Sequence, residues 1–146
     1  MIDITSKVLV KKLRPTAILP KFAHGELSDA GADLYAAEDV RLRGMAPTIV
    51  KCGFAMALPL DTHAEVRPRS GLALHGVTVW NAPGTIDAGY RGEVGVIMLS
   101  LHDYEVRAGD RIAQMVVMEH RIVGYEEVAE LSDTERGEGG FGSSGR

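Results

Sequence analysis

Six stretches of this chain, Val8 to Leu13, Ile49 to Leu58, Ala64 to Arg67, Val77 to Trp80, Val94 to Leu101 and Ile112 to Met118, are short, apolar and rich in β-branched side chains. Such runs predict strands, and the Gly, Pro, Asn and Asp residues between them predict turns. Val94-Gly95-Val96-Ile97-Met98-Leu99 is apolar on both alternating faces, which predicts a strand covered on both sides. No long stretch carries the helical period. One short helix is expected from Ser70 to His75, with Ser70 as its cap. Many short strands at close spacing predict an all-β fold: a sandwich, jelly roll or barrel.

Composition adds boundaries to that picture. The 146 residues, 45% hydrophobic and 25% charged, suit one compact domain. After residue 131 the apolar content collapses and Gly137, Gly139, Gly140, Gly142 and Gly145 crowd around Phe141, so a core over 1–131 and a flexible tail over 132–146 are expected. The lone Cys52 excludes an intrachain disulfide, and the five histidines follow no zinc spacing and read as surface or packing residues. Cys52 and Trp80, in expected strands, are assigned to the core. The longest apolar run, Val94 to Leu101, is too short to span a bilayer, so the expected location is the cytoplasm and no membrane partner is expected. A net charge of −4 weighs against non-specific nucleic-acid binding, which needs a basic surplus.

Two glycine patterns mislead. Gly140-Phe141-Gly142-Ser143-Ser144-Gly145 matches a dinucleotide-binding spacing, but that mechanism needs a helix after the loop and only Arg146 follows. Gly137 and Gly142 have Walker-loop spacing, yet Ser143 stands where the phosphate-binding lysine belongs. What survives is a run of backbone N–H groups able to wrap an anion, with Arg136, Ser143, Ser144 and Arg146 as further donors.

Four more stretches carry chemistry, although each alone has an ordinary structural reading. Ala30-Gly31-Ala32-Asp33-Leu34-Tyr35-Ala36 sets a carboxylate between small residues and a strand. Arg69-Ser70-Gly71-Leu72-Ala73 joins a guanidinium and a hydroxyl to a helix start, which suits a polyphosphate. Ala82-Pro83-Gly84-Thr85-Ile86-Asp87-Ala88-Gly89-Tyr90-Arg91-Gly92-Glu93 places a carboxylate and an aromatic three residues apart at a turn. In Gly109-Asp110-Arg111-Ile112-Ala113-Gln114-Met115-Val116-Val117 an amide sits inside an apolar strand, where leaving it unpaired would cost about 1–3 kcal/mol, so Gln114 needs a partner.

Taken together, in this order and followed by Arg136 to Gly145, these stretches resemble the five motifs of the trimeric dUTP diphosphatase family, and the resemblance spans residues 30–145. It implies a distorted jelly roll that hydrolyses dUTP to dUMP and pyrophosphate, with Mg²⁺ as cofactor, protecting the nucleotide pool and supplying dUMP. It implies Asp87 as general base for the attacking water, and Asp33 as the residue that holds Mg²⁺ through water while the phosphates do most of the binding. Arg69, Ser70, Gln114 and Arg136 are then phosphate contacts, Ser143 and Ser144 close over the γ-phosphate, and Gly71 and Gly142 are substrate-binding. Asn81, Thr85 and Ile86 belong to a hairpin, Asn81 to Tyr90, whose backbone reads the uracil edge; Tyr90 packs on the deoxyribose and blocks a 2′-hydroxyl, and Phe141 stacks on the base. The family shares each site among the subunits of a homotrimer, Asp87 from one, Arg69 from its neighbour and the tail from the third. Serine at Ser144, where the family often has threonine, is a minor departure.

Two other functions fit the same scaffold. A dCTP deaminase of this fold lacks a tail like Arg136 to Gly145, and a noncatalytic dUTP-binding regulator would most simply have lost Asp87, Arg69 or Arg136, all of which are present.

Overall fold

The computed structural model describes residues 6–142 and Gly145. Among the described residues eleven strands and one helix follow in the order β1 (Leu9–Lys12), β2 (Ala32–Tyr35), β3 (Val40–Leu42), β4 (Thr48–Lys51), β5 (Phe54–Ala57), β6 (Thr62–Arg67), α1 (Ser70–Leu74), β7 (Val77–Val79), β8 (Gly84–Ile86), β9 (Gly95–Ser100), β10 (Tyr104–Val106) and β11 (Arg111–Glu119). All pairings are antiparallel. They build a four-stranded sheet, β2-β11-β6-β8, a three-stranded sheet, β4-β9-β7, and two paired ribbons, β1-β5 and β3-β10. The expected all-β, jelly-roll-like fold is what the chain adopts.

Alternation produces the core directly. Along β6, Thr62, Ala64 and Val66 are buried while His63, Glu65 and Arg67 are half-buried on the other face. Leu34, Leu42, Val50, Phe54, Val77, Val94, Val96, Met98, Val106 and Ile112 from the remaining strands meet in the same cluster. In β9, Val96, Met98, Leu99 and Ser100 are all buried, so this strand is covered on both faces as its composition predicts.

Four expectations are corrected. Ile49 to Leu58 is two strands, because Gly53, at φ +76, turns the chain between β4 and β5. Ser70 is the first helical residue; the cap position belongs to Arg69, in extended conformation and without a side-chain cap bond. Trp80 lies one residue beyond β7, and since Val77 and Val79 point inward, its ring points outward and is 59% exposed. Residues 81–90 are no self-paired hairpin: they cross from β7, which pairs with β9, to β8, which pairs with β6. The last strand ends at Glu119, and residues 120–131 carry no strand and expose Ile122, Val123, Tyr125, Val128 and Leu131.

Two exposed carboxylates tie β3 to its surroundings. Asp103 accepts from the Gly44 N–H at 2.9 Å and from Arg41 at 2.9 Å, and Asp39 accepts from the Ala108 N–H at 2.8 Å. The backbone donor in each case, followed in effect by the nearby arginine, holds the carboxyl below the usual range. Their contribution to stability is present above the unfolded carboxylate value and is lost as pH falls through the folded one.

Cys52 is in the core as expected. Desolvation, with the charge of Glu93 second, pushes its thiol up to about 12. Below about pH 9 both folded and unfolded chains hold the proton, whereas between about 9 and 12 only the unfolded chain releases it, so stability falls with rising pH by up to about 1.4 kcal/mol per unit. We expect native protein at pH 8 to resist an aromatic disulfide reagent until it unfolds, and Cys52→Val to flatten the loss of Tm between pH 9 and 11. Rapid labelling of the native state would contradict the burial.

Candidate active site

Strand register assembles the first part of the site. In the four-stranded sheet Asp33 of β2 is the partner of Gln114 of β11, and Gln114 is in turn the partner of Arg67 of β6. Partners across a sheet share a face, so these three polar side chains lie in a row opposite the buried Ala32, Leu34, Ala113 and Met115. The amide of Gln114 finds its partner at once, donating from Nε2 to the Pro68 carbonyl at 2.9 Å. This bond fixes the chain just where it leaves β6 for Arg69 and α1.

Arg69 folds back over the row. Its Nε lies 3.2 Å from Asp33 Oδ1 and its Nη1 donates to the Arg111 carbonyl at 3.2 Å, while Arg111 Nη1 stands 3.7 Å from Asp33 Oδ2. One largely enclosed carboxylate thus faces two guanidinium groups, an arrangement that neutralises itself in the free chain and can exchange partners with an anion. Arg69 and Arg111 also line a cleft of about 300 Å³ with Leu72, Tyr104, Val106 and Asp110. Ser70 and Gly71 are exposed at its helical edge.

Among the described residues no group of three or more His, Cys, Asp or Glu side chains could hold a metal ion. The Asp33 carboxylate between two cations, with Asp110 of the same cleft engaged by the Arg107 N–H at 2.8 Å, fits a magnesium ion that keeps much of its water and is carried by substrate phosphates. The donor set therefore suits Asp33 as an outer contact, and the described residues of one chain bring together no all-protein cage.

The second part of the site surrounds β8. A cavity of about 240 Å³ is lined by Asn81, Gly84, Thr85, Ile86, Asp87 and Tyr90 together with Glu93 to Ile97 and Val66. Asp87 and Tyr90 are held by one turn, in which the Tyr90 N–H donates to the Asp87 carbonyl at 3.0 Å. The Asp87 carboxylate is exposed and, among the described residues, makes no hydrogen bond or ion pair. Such a group is available to a water.

The tail carries the remaining candidate residues. Arg136 donates from Nε to the Gly139 carbonyl at 2.8 Å, and Phe141, at φ +47, is fully exposed. Gly142 is exposed too; Ser143 and Ser144 lie outside the described residues. Within one chain, then, Asp33, Arg69 and Gln114 come together, Asn81, Thr85, Ile86, Asp87 and Tyr90 come together, and Arg136 and Phe141 join neither set. Sequence reasoning passed over Arg111 and Glu93. Both stand inside the quoted motifs, but only register puts Arg111 beside Asp33 and only the cavity puts Glu93 beside Tyr90.

A family model described as dUTPase matches residues 19–145. The deoxyuridine 5′-triphosphate nucleotidohydrolase of Solibacter usitatus is 53% identical over 143 residues, covering 96% of this chain and 97% of its own. Among solved structures, the dUTPase of Staphylococcus bacteriophage 80alpha with dUpNHpp superposes with a TM-score of 0.86 at 28% identity, covering 97% of this chain and all of that one. A dUTPase from phage phi11 of S. aureus, described with a structural Mg(II) ion, shares the fold with a TM-score of 0.78 at 23% identity, covering 85% and 97%.

Proposed function

The chain belongs to the dUTPase family, and from that premise we infer that the cavity beside β8 receives the deoxyuridine and the cleft around Arg69 a triphosphate. The protein is an enzyme that hydrolyses dUTP to dUMP and pyrophosphate and uses Mg²⁺. The observation that carries the site reading is the free Asp87 carboxylate among the residues that line a half-open cavity, separate from a cleft lined by Arg69 and Arg111.

In this reading Asp87 takes a proton from a water as its oxygen bonds to the α-phosphorus. The bond from that phosphorus to the bridging oxygen breaks, and pyrophosphate leaves. Arg69, Ser70, Gly71 and Gln114, joined by Arg136, Gly142, Ser143 and Ser144 from a tail, position and neutralise the phosphates. Magnesium, when bound, adds charge neutralisation on those phosphates, and Asp33 would hold it through water. Backbone groups of Asn81, Thr85 and Ile86 read the uracil edge, Tyr90 walls the sugar, and Phe141 closes on the base.

The working assembly is a homotrimer with shared sites, and its location is cytoplasmic. Three features support the trimer. The base-bearing cavity and the arginine cleft are separate in one chain, and no hydrogen bond or ion pair among the described residues ties the tail to either. Ile122, Val123, Tyr125, Val128 and Leu131 are exposed along one irregular segment, more apolar surface than a free arm needs. Leu9, Val10, Ala55, Met56 and Ala57 leave an apolar hollow of about 360 Å³ on the β1-β5 ribbon, open to such a segment from another copy. No helix among the described residues is long and apolar enough to cross a membrane.

Pyrophosphate release with Mg²⁺ from dUTP, dCTP, dTTP and UTP in parallel, with the nucleotide product identified, tests the pocket reading. Turnover of dUTP alone, yielding dUMP, is expected. Comparable turnover of UTP or dTTP would remove the roles given to Tyr90 and to the uracil wall.

A further inference from the structure

We propose that Gly92 and the Glu93 carbonyl form the mould that holds the Tyr90 ring against the sugar, which makes Gly92 a specificity-determining position for deoxyribose over ribose. The proposal rests on the reading of Tyr90 as the sugar wall. A wall discriminates by a single oxygen atom only if it stands still, because repulsion between non-bonded atoms changes steeply over about 1 Å. Tyr90 is 47% exposed, so in this chain its position has to come from local contacts rather than burial.

Those contacts are few and specific. The Tyr90 hydroxyl donates to the Glu93 carbonyl at 3.1 Å. A Cβ added at Gly92 would overlap that hydroxyl oxygen and come within 2.6 Å of Cζ and 2.9 Å of Cε2 of the same ring. Gly92 is not among the glycines with positive φ, so the backbone does not demand glycine there. The space for the ring does.

The mould is fixed and the ring is the movable part. The Glu93 carboxylate accepts from the Gly53 N–H at 3.0 Å and from Arg14 Nη2 at 3.2 Å. Val94, next in the chain, is 1% exposed and donates its N–H to the Phe54 carbonyl at 2.8 Å. A methyl at position 92 therefore displaces the ring, whose open side is solvent, and leaves the strand behind it in place. The fold survives and the wall leaves the position that sets its fit to the sugar.

The test is the ratio of kcat/KM for dUTP to that for UTP, measured with Mg²⁺ on one preparation of each variant. Both substrates meet the same active fraction, so partial misfolding does not move the ratio. Gly92→Ala is expected to lower it about tenfold or more, and Tyr90→Phe, which keeps the ring and loses only the bond to Glu93, about two- to fivefold. Tyr90→Ala should lower it most. An unchanged ratio in Gly92→Ala beside a collapsed one in Tyr90→Ala overturns the mould, whereas an unchanged ratio in Tyr90→Ala overturns the sugar-wall reading itself. If Gly92→Ala has no measurable turnover, the Tyr90→Phe ratio decides: a fall supports the mould and no change overturns it.

Discussion

Asp87→Asn will bind dUTP and barely turn it over. Asparagine keeps the shape of the side chain, and the carboxylate it replaces has no protein partner among the described residues, so nothing in the fold is lost. The turn that carries it is closed by the Asp87 carbonyl and the Tyr90 N–H, which the substitution leaves intact. The base is all that disappears, and a positioned general base contributes about 10²–10⁴ to the rate. A fall of about 10³ in kcat with the dissociation constant for a non-hydrolysable dUTP analogue changed by no more than about threefold is the expected result. A variant that keeps normal kcat would exclude Asp87 as the base, and one that also loses the analogue would make it a binding residue.

Removal of residues 136–146 will produce the second large effect without touching stability. The last strand ends at Glu119, and the tail's hydrogen bonds among the described residues are local turns, such as Gly137 N to the Thr134 carbonyl at 3.1 Å. Tm should therefore stay within about 2 °C of the full chain. The loss of Arg136, Phe141 and the two serines removes charge neutralisation and closure together, for which a fall of about 10²–10⁴ in kcat/KM is expected. The two variants also test the trimer when combined. If base and tail reach a site from different subunits, mixing and reassembling equal amounts of Asp87→Asn and the truncated chain should restore about a quarter of the sites. A mixture as inactive as its parts would place base and tail in the same chain.

How much of this was legible in the sequence depended on how strongly each element advertises itself. The longer strands were readable because burial on one face leaves an alternation that turns interrupt. Of the four three-residue strands, β7 was readable and β3, β8 and β10 were not: Val40-Arg41-Leu42 and Tyr104-Glu105-Val106 each centre on a charge, and Gly84-Thr85-Ile86 follows a proline. The polar row was half legible. Gln114 announced itself as an amide in an apolar strand, but that its neighbours would be Asp33 and Arg67 is a property of register, which no local pattern contains. Trp80 misled for a related reason: its size argues for burial, yet parity along β7 puts it on the outer face.

The pairing of β2 with β11 has a consequence for how the molecule is made. Ala32 meets Met115, and Asp33 meets Gln114, so the sheet that carries the polar row joins parts of the chain that are far apart in sequence. Nothing shorter than a polypeptide reaching Glu119 can complete it, since β11 is also the strand that links β2 to β6. Contacts of such long range are slow to form and leave apolar strand edges open while they wait. β2 and β6 both precede β11 in the chain, so during synthesis the sheet lacks its central link until β11 has emerged.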